Sequence, residues 1–347
     1  IQPATLATSG ASPRDSTARR TTPQCTAAAV VPTAMKRAPC QRSFDMPDIL
    51  APTRPIRRLA VCVDDYGLHD GIDDASVQLA RAGRISAVSV MSDGPTWPGS
   101  ADALRQAART HPVDVGLHLN LTEALPGVAG ESLQRVILRA GLRQFDARAL
   151  QQRIERQLDR FEAGWGAPPD HVDGHQHVHQ LPQVRRVLLD ALEARYPDPA
   201  HRPWLRASRA PAGRELPLRR KADVISWLGA AELQAESARR GWQSNGHLLG
   251  VYGFDTDAVG YRHLLQQWFA LAQDGDLLMC HPASHAPADD VIGRARQVEW
   301  LVWQSSALTD DLAQAGVRIT ALSSVRAASA SSATSGAAPA AAPARRS

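Results

Sequence analysis

Carboxylates and imidazoles gather in four short segments of this chain. Val-Asp-Asp-Tyr-Gly spans 63–67, Gly-Leu-His-Leu-Asn 116–120, Asp-Gly-His-Gln-His-Val-His 173–179 and Met-Cys-His-Pro 279–282. Each closes or follows a β-type run. Two imidazoles and one carboxylate meeting at a point suit a divalent ion that keeps open positions for water and substrate. Zinc is the most natural metal for that donor set, with magnesium or manganese as alternatives. The chemistry such a collection of side chains would perform is metal-assisted hydrolysis.

Local reasoning sharpens the candidates. Along 113–119 side chains alternate faces, so Val115, Leu117 and Leu119 turn toward covering helices. Gly116, His118 and Asn120 then turn toward the polar end of the fold. Asp64 and Asp65 are adjacent and cannot both point inward from a regular strand. One is expected on the strand and the other in the turn that Gly67 permits. Two neighbouring carboxylates repel unless a cation or a shared proton intervenes. Asp173, His175, His177 and His179 share one parity and would share a face in extended backbone. Some of these would ligate and others would orient a ligating imidazole. His281 ends an apolar strand that Pro282 stops, which makes it a candidate general acid. Arg206, near another strand end, is a candidate holder of a carboxylate or a substrate oxygen. Trp97, Tyr252 and Phe254 follow strands and are candidates either for stacking on sugar rings or for core packing.

These segments need a scaffold that brings strand ends together. Strands are expected at Leu59–Val63, Ile85–Met91, Val113–Leu119, His171–Asp173, Trp204–Ala207, Leu277–Cys280 and Val317–Thr320. Helical patterns lie between them, including 70–82, 101–110, 150–165, 218–240, 258–272 and 293–314. In the last of these Leu301, Val302, Leu308 and Leu312 mark the expected buried face. Such alternation means a parallel sheet, and about seven units in one domain favour a single distorted (β/α) barrel over an open doubly wound sheet. In barrels chemistry collects at the C-terminal ends of strands, where all four motifs fall. No Gly-x-Gly-x-x-Gly follows the first strand, so a dinucleotide site is not indicated.

The 347 residues carry a formal net charge of +4, with arginine supplying nearly all the positive charge. The short run Arg219-Arg220-Lys221 reads as a solvated helix face rather than a nucleic-acid footprint. No apolar stretch is long enough to span a membrane. Four cysteines without a Cys-x-x-Cys spacing argue against a zinc ribbon. Cys62 and Cys280 read as small buried residues, and reduced thiols suggest a cytoplasmic setting. Residues 1–50 have disordered composition or are a misassigned N-terminal extension, with Met46 the expected natural start. The barrel domain is expected over 51–324, and 325–347 as a disordered tail.

Taken together, in order and approximate spacing, the four motifs resemble those of the YdjC-like deacetylases. This group includes the ChbG-type chitooligosaccharide deacetylases and the HpnK proteins of hopanoid biosynthesis. The resemblance covers roughly residues 57–322. It implies a barrel related to the NodB-type polysaccharide deacetylases and removal of acetyl from an N-acetylated sugar. Carried over by position, Asp65, His118 and His175 look like ligands of one divalent metal, zinc or magnesium. Asp64 looks like the catalytic base and His281 like the acid. His177, His179, Arg206 and Tyr66 are expected to line the site or support its ligands. The chain has Cys-Val-Asp-Asp-Tyr-Gly where the family often has Asn-Ala-Asp-Asp-Phe-Gly, and Gly-His-Gln-His where it often has Ser-His-His-His. Those changes at Tyr66 and Gln176 bear on substrate fit.

The expected partner is therefore an N-acetylated sugar or glycoconjugate, chitooligosaccharide-like or hopanoid- or lipid-linked. Neither nucleic acid nor a membrane span is expected, and the oligomeric state is unreadable. The competing readings are another metal hydrolase on the same barrel, such as a phosphoesterase or deformylase-like amidase, and a non-catalytic metal- or sugar-binding protein.

Overall fold

The computed structural model describes residues 55–213 and 215–325. Cys25, Cys40, Met46 and the expectations for 1–50 and for the tail beyond 325 lie outside them. In chain order the elements are β1 (Arg57–Tyr66), α1 (Asp70–Arg81), β2 (Ala87–Val90), α2 (Ala101–Ala107), β3 (Asp114–Leu119) and α3 (Leu133–Gly141). There follow α4 (Ala147–Trp165), β4 (His171–Gly174), α5 (Pro182–Arg195), β5 (Trp204–Leu205), α6 (Arg219–Trp227) and α7 (Ala230–Arg239). The domain closes with β6 (Leu248–Leu249), α8 (Ala258–Leu271), β7 (Asp276–Cys280), α9 (Gly293–Trp303), α10 (Ala307–Ala315) and β8 (Val317–Ile319).

Every ladder between these strands is parallel. Their order is β5-β4-β3-β2-β1-β7-β6, with β8 pairing the start of β1. The two short end strands are drawn together by the segment after α7. Leu205 N donates to Gln243 O at 2.8 Å, and Leu248 N to Arg209 O at 2.8 Å. The sheet is thus the curled (β/α) barrel that strand–helix alternation predicts.

Strand alternation divides the interior into two apolar layers. Leu59, Val61, Val63, Val115, Leu117 and Leu119 face outward and pack with the helices. Ala60, Cys62, Ala87, Trp204, Leu277 and Met279 face inward. One step further along each strand on that inner face stand Asp64, His118, Asp173, Arg206 and His281. The period of two places this polar tier above the apolar floor, at the C-terminal strand ends. Gly116 is part of the floor for a steric reason. A Cβ there would fall 2.4 Å from the His171 ring. That ring stacks on Trp204 with centroids 4.3 Å apart.

Three local expectations are corrected. The 218–240 region is two helices, broken at Gly229, whose φ of +124° and 2.3 Å approach of a built Cβ to Gln180 O exclude a side chain. The 293–314 region is likewise split into α9 and α10. Leu301 is 56 % exposed, whereas Val302 and Leu308 are buried as expected, and α9 also buries Arg296, Glu299 and Trp303. The stretch His175–Gln180 is a 3-10 turn with Gln176 at φ 51° and His177 at φ 62°, not extended backbone. Its histidines therefore do not share a face. Among the described residues no helix is long and apolar enough to cross a membrane.

Candidate active site

Both aspartates of the first motif reach the cavity because β1 is irregular at its end. Its register against β2 shifts between Val63 and Tyr66, and Asp65 takes a φ of +70°. Aspartate tolerates this left-handed conformation better than most residues. The turn expected after the strand thus lies within it, and adjacent carboxylates point into one cavity.

Asp65, His118 and His175 come together, each offering a donor atom within 4.8 Å of the others. His118 Nε2 lies 3.3 Å and His175 Nδ1 2.8 Å from Asp65 Oδ1. Neighbours leave His118 Nε2 and Asp65 Oδ1 as available donors. Asp173 Oδ1 holds His118 Nδ1 at 2.6 Å, so Nε2 is the nitrogen turned to Asp65. Arg296 Nη2 holds Asp65 Oδ2 at 2.7 Å, which leaves Oδ1. Buried His175 Nε2 has no hydrogen-bond partner among the described residues, with Glu123 Oε2 3.7 Å away. Burial opposes charge on both imidazoles, but the carboxylates outweigh it. Asp173 and Asp64 push His118 up to about 10, and Asp65 raises His175. Positive charge is favoured at this point, and two imidazoles with one carboxylate oxygen fit a divalent ion.

Beside this group Arg206, fully buried, donates to both oxygens of Asp64 at 2.6 Å and contacts Asp173 Oδ2 at 2.6 Å. Burial works against the Asp64 anion, yet Arg206 wins and holds its carboxyl below the usual range. His281 Nε2 lies 3.9 Å from Asp64 Oδ2. Burial pushes this imidazole down to about 4, so it is neutral at rest near neutral pH. Its backbone N–H donates to Glu299 Oε2 at 2.7 Å, and Tyr252 donates to the other oxygen at 2.7 Å. Burial pushes Glu299 up to about 7.

Two further clusters of ligand-type residues already hold a cation. Asp64, His118 and Asp173 surround the Arg206 guanidinium, which also sits 2.9 Å from Cys62 Sγ in the cluster of Cys62, His171 and Asp173. Burial raises the Cys62 thiol well above its ordinary value, and both Cys62 and Cys280 are free.

The remaining expected site residues separate. His177 lines the cavity, its Nδ1 3.0 Å from Ser208 Oγ. His179 turns away and donates from Nε2 to Arg206 O at 2.8 Å, fixing the backbone that presents the guanidinium. Tyr66 is corrected to a core residue. Its hydroxyl donates to Ser100 O at 2.9 Å and its ring stands edge-on to Trp97. Trp97 in turn stacks on Phe161, whereas Tyr252 and Phe254 do line the cavity. Asp173, the first residue of the third motif, holds His118, while Arg296 and Glu299 are neighbours of the site that the sequence motifs do not include. The cavity they adjoin has a volume of about 740 Å³.

The profile of the YdjC-like protein family matches residues 58–314. The chain belongs to this family. Among individual relatives, a mouse carbohydrate deacetylase is 37 % identical over 154 residues, 40 % of this chain and 48 % of its own length. A human carbohydrate deacetylase is 33 % identical over 41 % of this chain and 47 % of its own length. The chain thus spans about half the length of these two curated relatives. A chitooligosaccharide deacetylase of Yersinia pestis (strain Pestoides F) is 28 % identical over 75 % of this chain and 96 % of its own length. The fold is shared with a putative cellobiose-phosphate cleavage protein of Enterococcus faecalis V583. That structure has a TM-score of 0.55 and 17 % identity, covering 78 % of this chain and 98 % of the other.

Proposed function

We propose that this YdjC-like protein is a metal-dependent hydrolase that removes the acetyl group from an N-acetylated amino sugar. The observation that carries this reading is the convergence of Asp65, His118 and His175 beside the Asp64–Arg206 pair. The deacetylase names of its relatives support the substrate class.

Asp65, His118 and His175 would hold the ion, and zinc suits the two imidazoles and single carboxylate better than magnesium. When bound, such an ion supplies Lewis-acid chemistry, polarising a carbonyl and lowering the pKa of water toward ~7 in the zinc case. Asp64, kept ionised by Arg206, accepts the proton of the attacking water. His281 is neutral at rest, so it is not a stored acid. It takes up the proton delivered at Asp64, 3.9 Å away, and passes it to the departing amine. The amine is a poor leaving group until it is protonated. Phe254, edge-on to His281 with centroids 5.3 Å apart, gives the sugar ring an apolar wall.

A second reading of the substrate is a lipid-linked amino sugar. The cavity wall beyond the polar tier favours it, because Leu125, Leu133, Ile137, Val224, Ile225 and Leu228 are aliphatic rather than polar. The test is acetate release from N-acetylglucosamine oligomers and from an N-acetylglucosamine glycoside with a long alkyl aglycone. Each is assayed with zinc, magnesium or a chelator. Acetate that disappears with the chelator is expected. Phosphate or formate release from the matching esters or amides without acetate would favour another hydrolase, and ligand binding with no product under any metal a binding protein.

A further inference from the structure

Nine large apolar side chains stand out as exposed among the described residues. Six of them, Leu138, Leu142, Leu218, Val224, Trp227 and Val291, lie on or beside three segments that form the cavity mouth. These segments are α3, α6 and the loop 287–292. Trp227 is 82 % and Val291 97 % exposed. Scattered exposed apolar residues need no explanation, but a cluster around one opening does.

Charge indicates what covers them. Exposed Arg135 and Arg143 alternate with Leu138 and Leu142 on α3 and just past its end, and exposed Arg220 precedes Val224 and Trp227 on α6. Of the rim acids Asp223 pairs with Arg219 and Asp290 with Arg296, which leaves Asp289 as the exposed acid of the 287–292 loop. Arginines set among apolar residues and a tryptophan let aliphatic stems lie along an apolar phase while guanidinium groups reach anionic headgroups. An isologous contact with a second copy would pack this arginine-bearing face against an identical one. Neither helix is long enough to span a bilayer, so contact at the interface is the geometry available.

We propose that this rim is a membrane-docking face that seats the cavity mouth on a lipid surface bearing anionic headgroups. The aliphatic cavity wall is continuous with that face through Val224 and Val291, which belong to both. The inference is independent of which bond the site cleaves.

The test is flotation of the full chain with vesicles of phosphatidylcholine, alone or mixed equally with phosphatidylglycerol. The protein is expected to float with the mixed vesicles and to be released by high salt. The double variant Trp227→Asp/Leu142→Asp should lower the bound-to-free ratio by at least about tenfold. Val259→Asp, an exposed apolar site on α8, should leave it unchanged. Both variants should keep the parent's melting temperature and its acetate release from a soluble oligomer. Absence of flotation at low salt, or equal flotation of the double variant, would overturn the proposal. So would a wild-type dimer that the double variant dissociates, since a second copy would then cover the face. Flotation with no acetate release would instead count against the enzymatic reading.

Discussion

Arg206 and Asp64 face each other as a two-pronged pair, with Nη1–Oδ2 and Nη2–Oδ1 both at 2.6 Å. Both residues are buried, and Arg206 also neutralises Asp173. The pair thus keeps a base ionised in a place where burial alone would protonate it. Replacing Asp64 with Asn should leave metal binding intact and lower turnover by about 10²–10⁴-fold, the range for loss of general-base help. Arg206→Met leaves two buried carboxylates without their cation and should destabilise the fold by roughly 3–5 kcal/mol. Denaturant melts with parallel kcat measurements check both. Full turnover in Asp64→Asn would remove the base assignment.

Asp173 acts on the site through His118. It accepts from Nδ1 and so fixes which nitrogen faces Asp65. Asp173→Asn keeps the shape but loses the anion, and metal affinity should fall by about 10–100-fold. A competitive titration against a chromogenic chelator measures this. Unchanged affinity would mean that the imidazole orientation is set elsewhere.

Metal uptake should release protons. Asp173 and Asp64 overcome burial to push His118 up to about 10, so the metal-free protein carries a proton there at neutral pH, and Asp65 shifts His175 in the same direction. An incoming ion must displace the His118 proton. Affinity should therefore rise with pH between about 6 and 8, by up to tenfold per unit for each proton displaced. Folding of the metal-free chain depends on pH with the opposite sign. Stability contributed by protonated His118 is complete below its ordinary pKa and is lost as pH rises toward 10. Calorimetry in buffers of different ionisation heat counts the protons directly. A pH-independent affinity would contradict the charge balance described.

Much of this site was legible because strand alternation is a rigid rule. His118 follows Gly116 on the inner face, and His281 follows Met279 in the same way. Asp64 and Asp65 were readable as a pair, but the φ of +70° that lets both turn inward was not, since no residue there demands it. The histidine run misled because Gln176 and His177 take left-handed backbone that their types do not favour. The turn, not strand parity, brings His175, Gln176 and His177 to the cavity while His179 turns to Arg206. Arg296 and Glu299 were hidden on α9. Charged residues on an amphipathic helix usually mark its solvent face, and here they mark the buried one because Asp65 and Asp290 meet Arg296 while the Tyr252 and Tyr261 hydroxyls and the His281 N–H meet Glu299.

Gly116 tests the tiered interior. A Cβ at this position would sit 2.4 Å from the buried His171 ring, which is clamped between Trp204 and Ser89. Gly116→Ala should cost about 1–3 kcal/mol through overpacking and shift His118 in the next tier. A melting temperature and metal affinity equal to the parent's would show that the floor is looser than described.

The central claim is that Asp65, His118 and His175 bind a single ion. Elemental analysis after dialysis against dilute zinc tests it most directly, on the parent and on Asp65→Ala, His118→Ala and His175→Ala. The account predicts one zinc per parent chain and loss of stoichiometric zinc in each variant while the fold survives. Zinc retained at full stoichiometry in any two folded variants would contradict it.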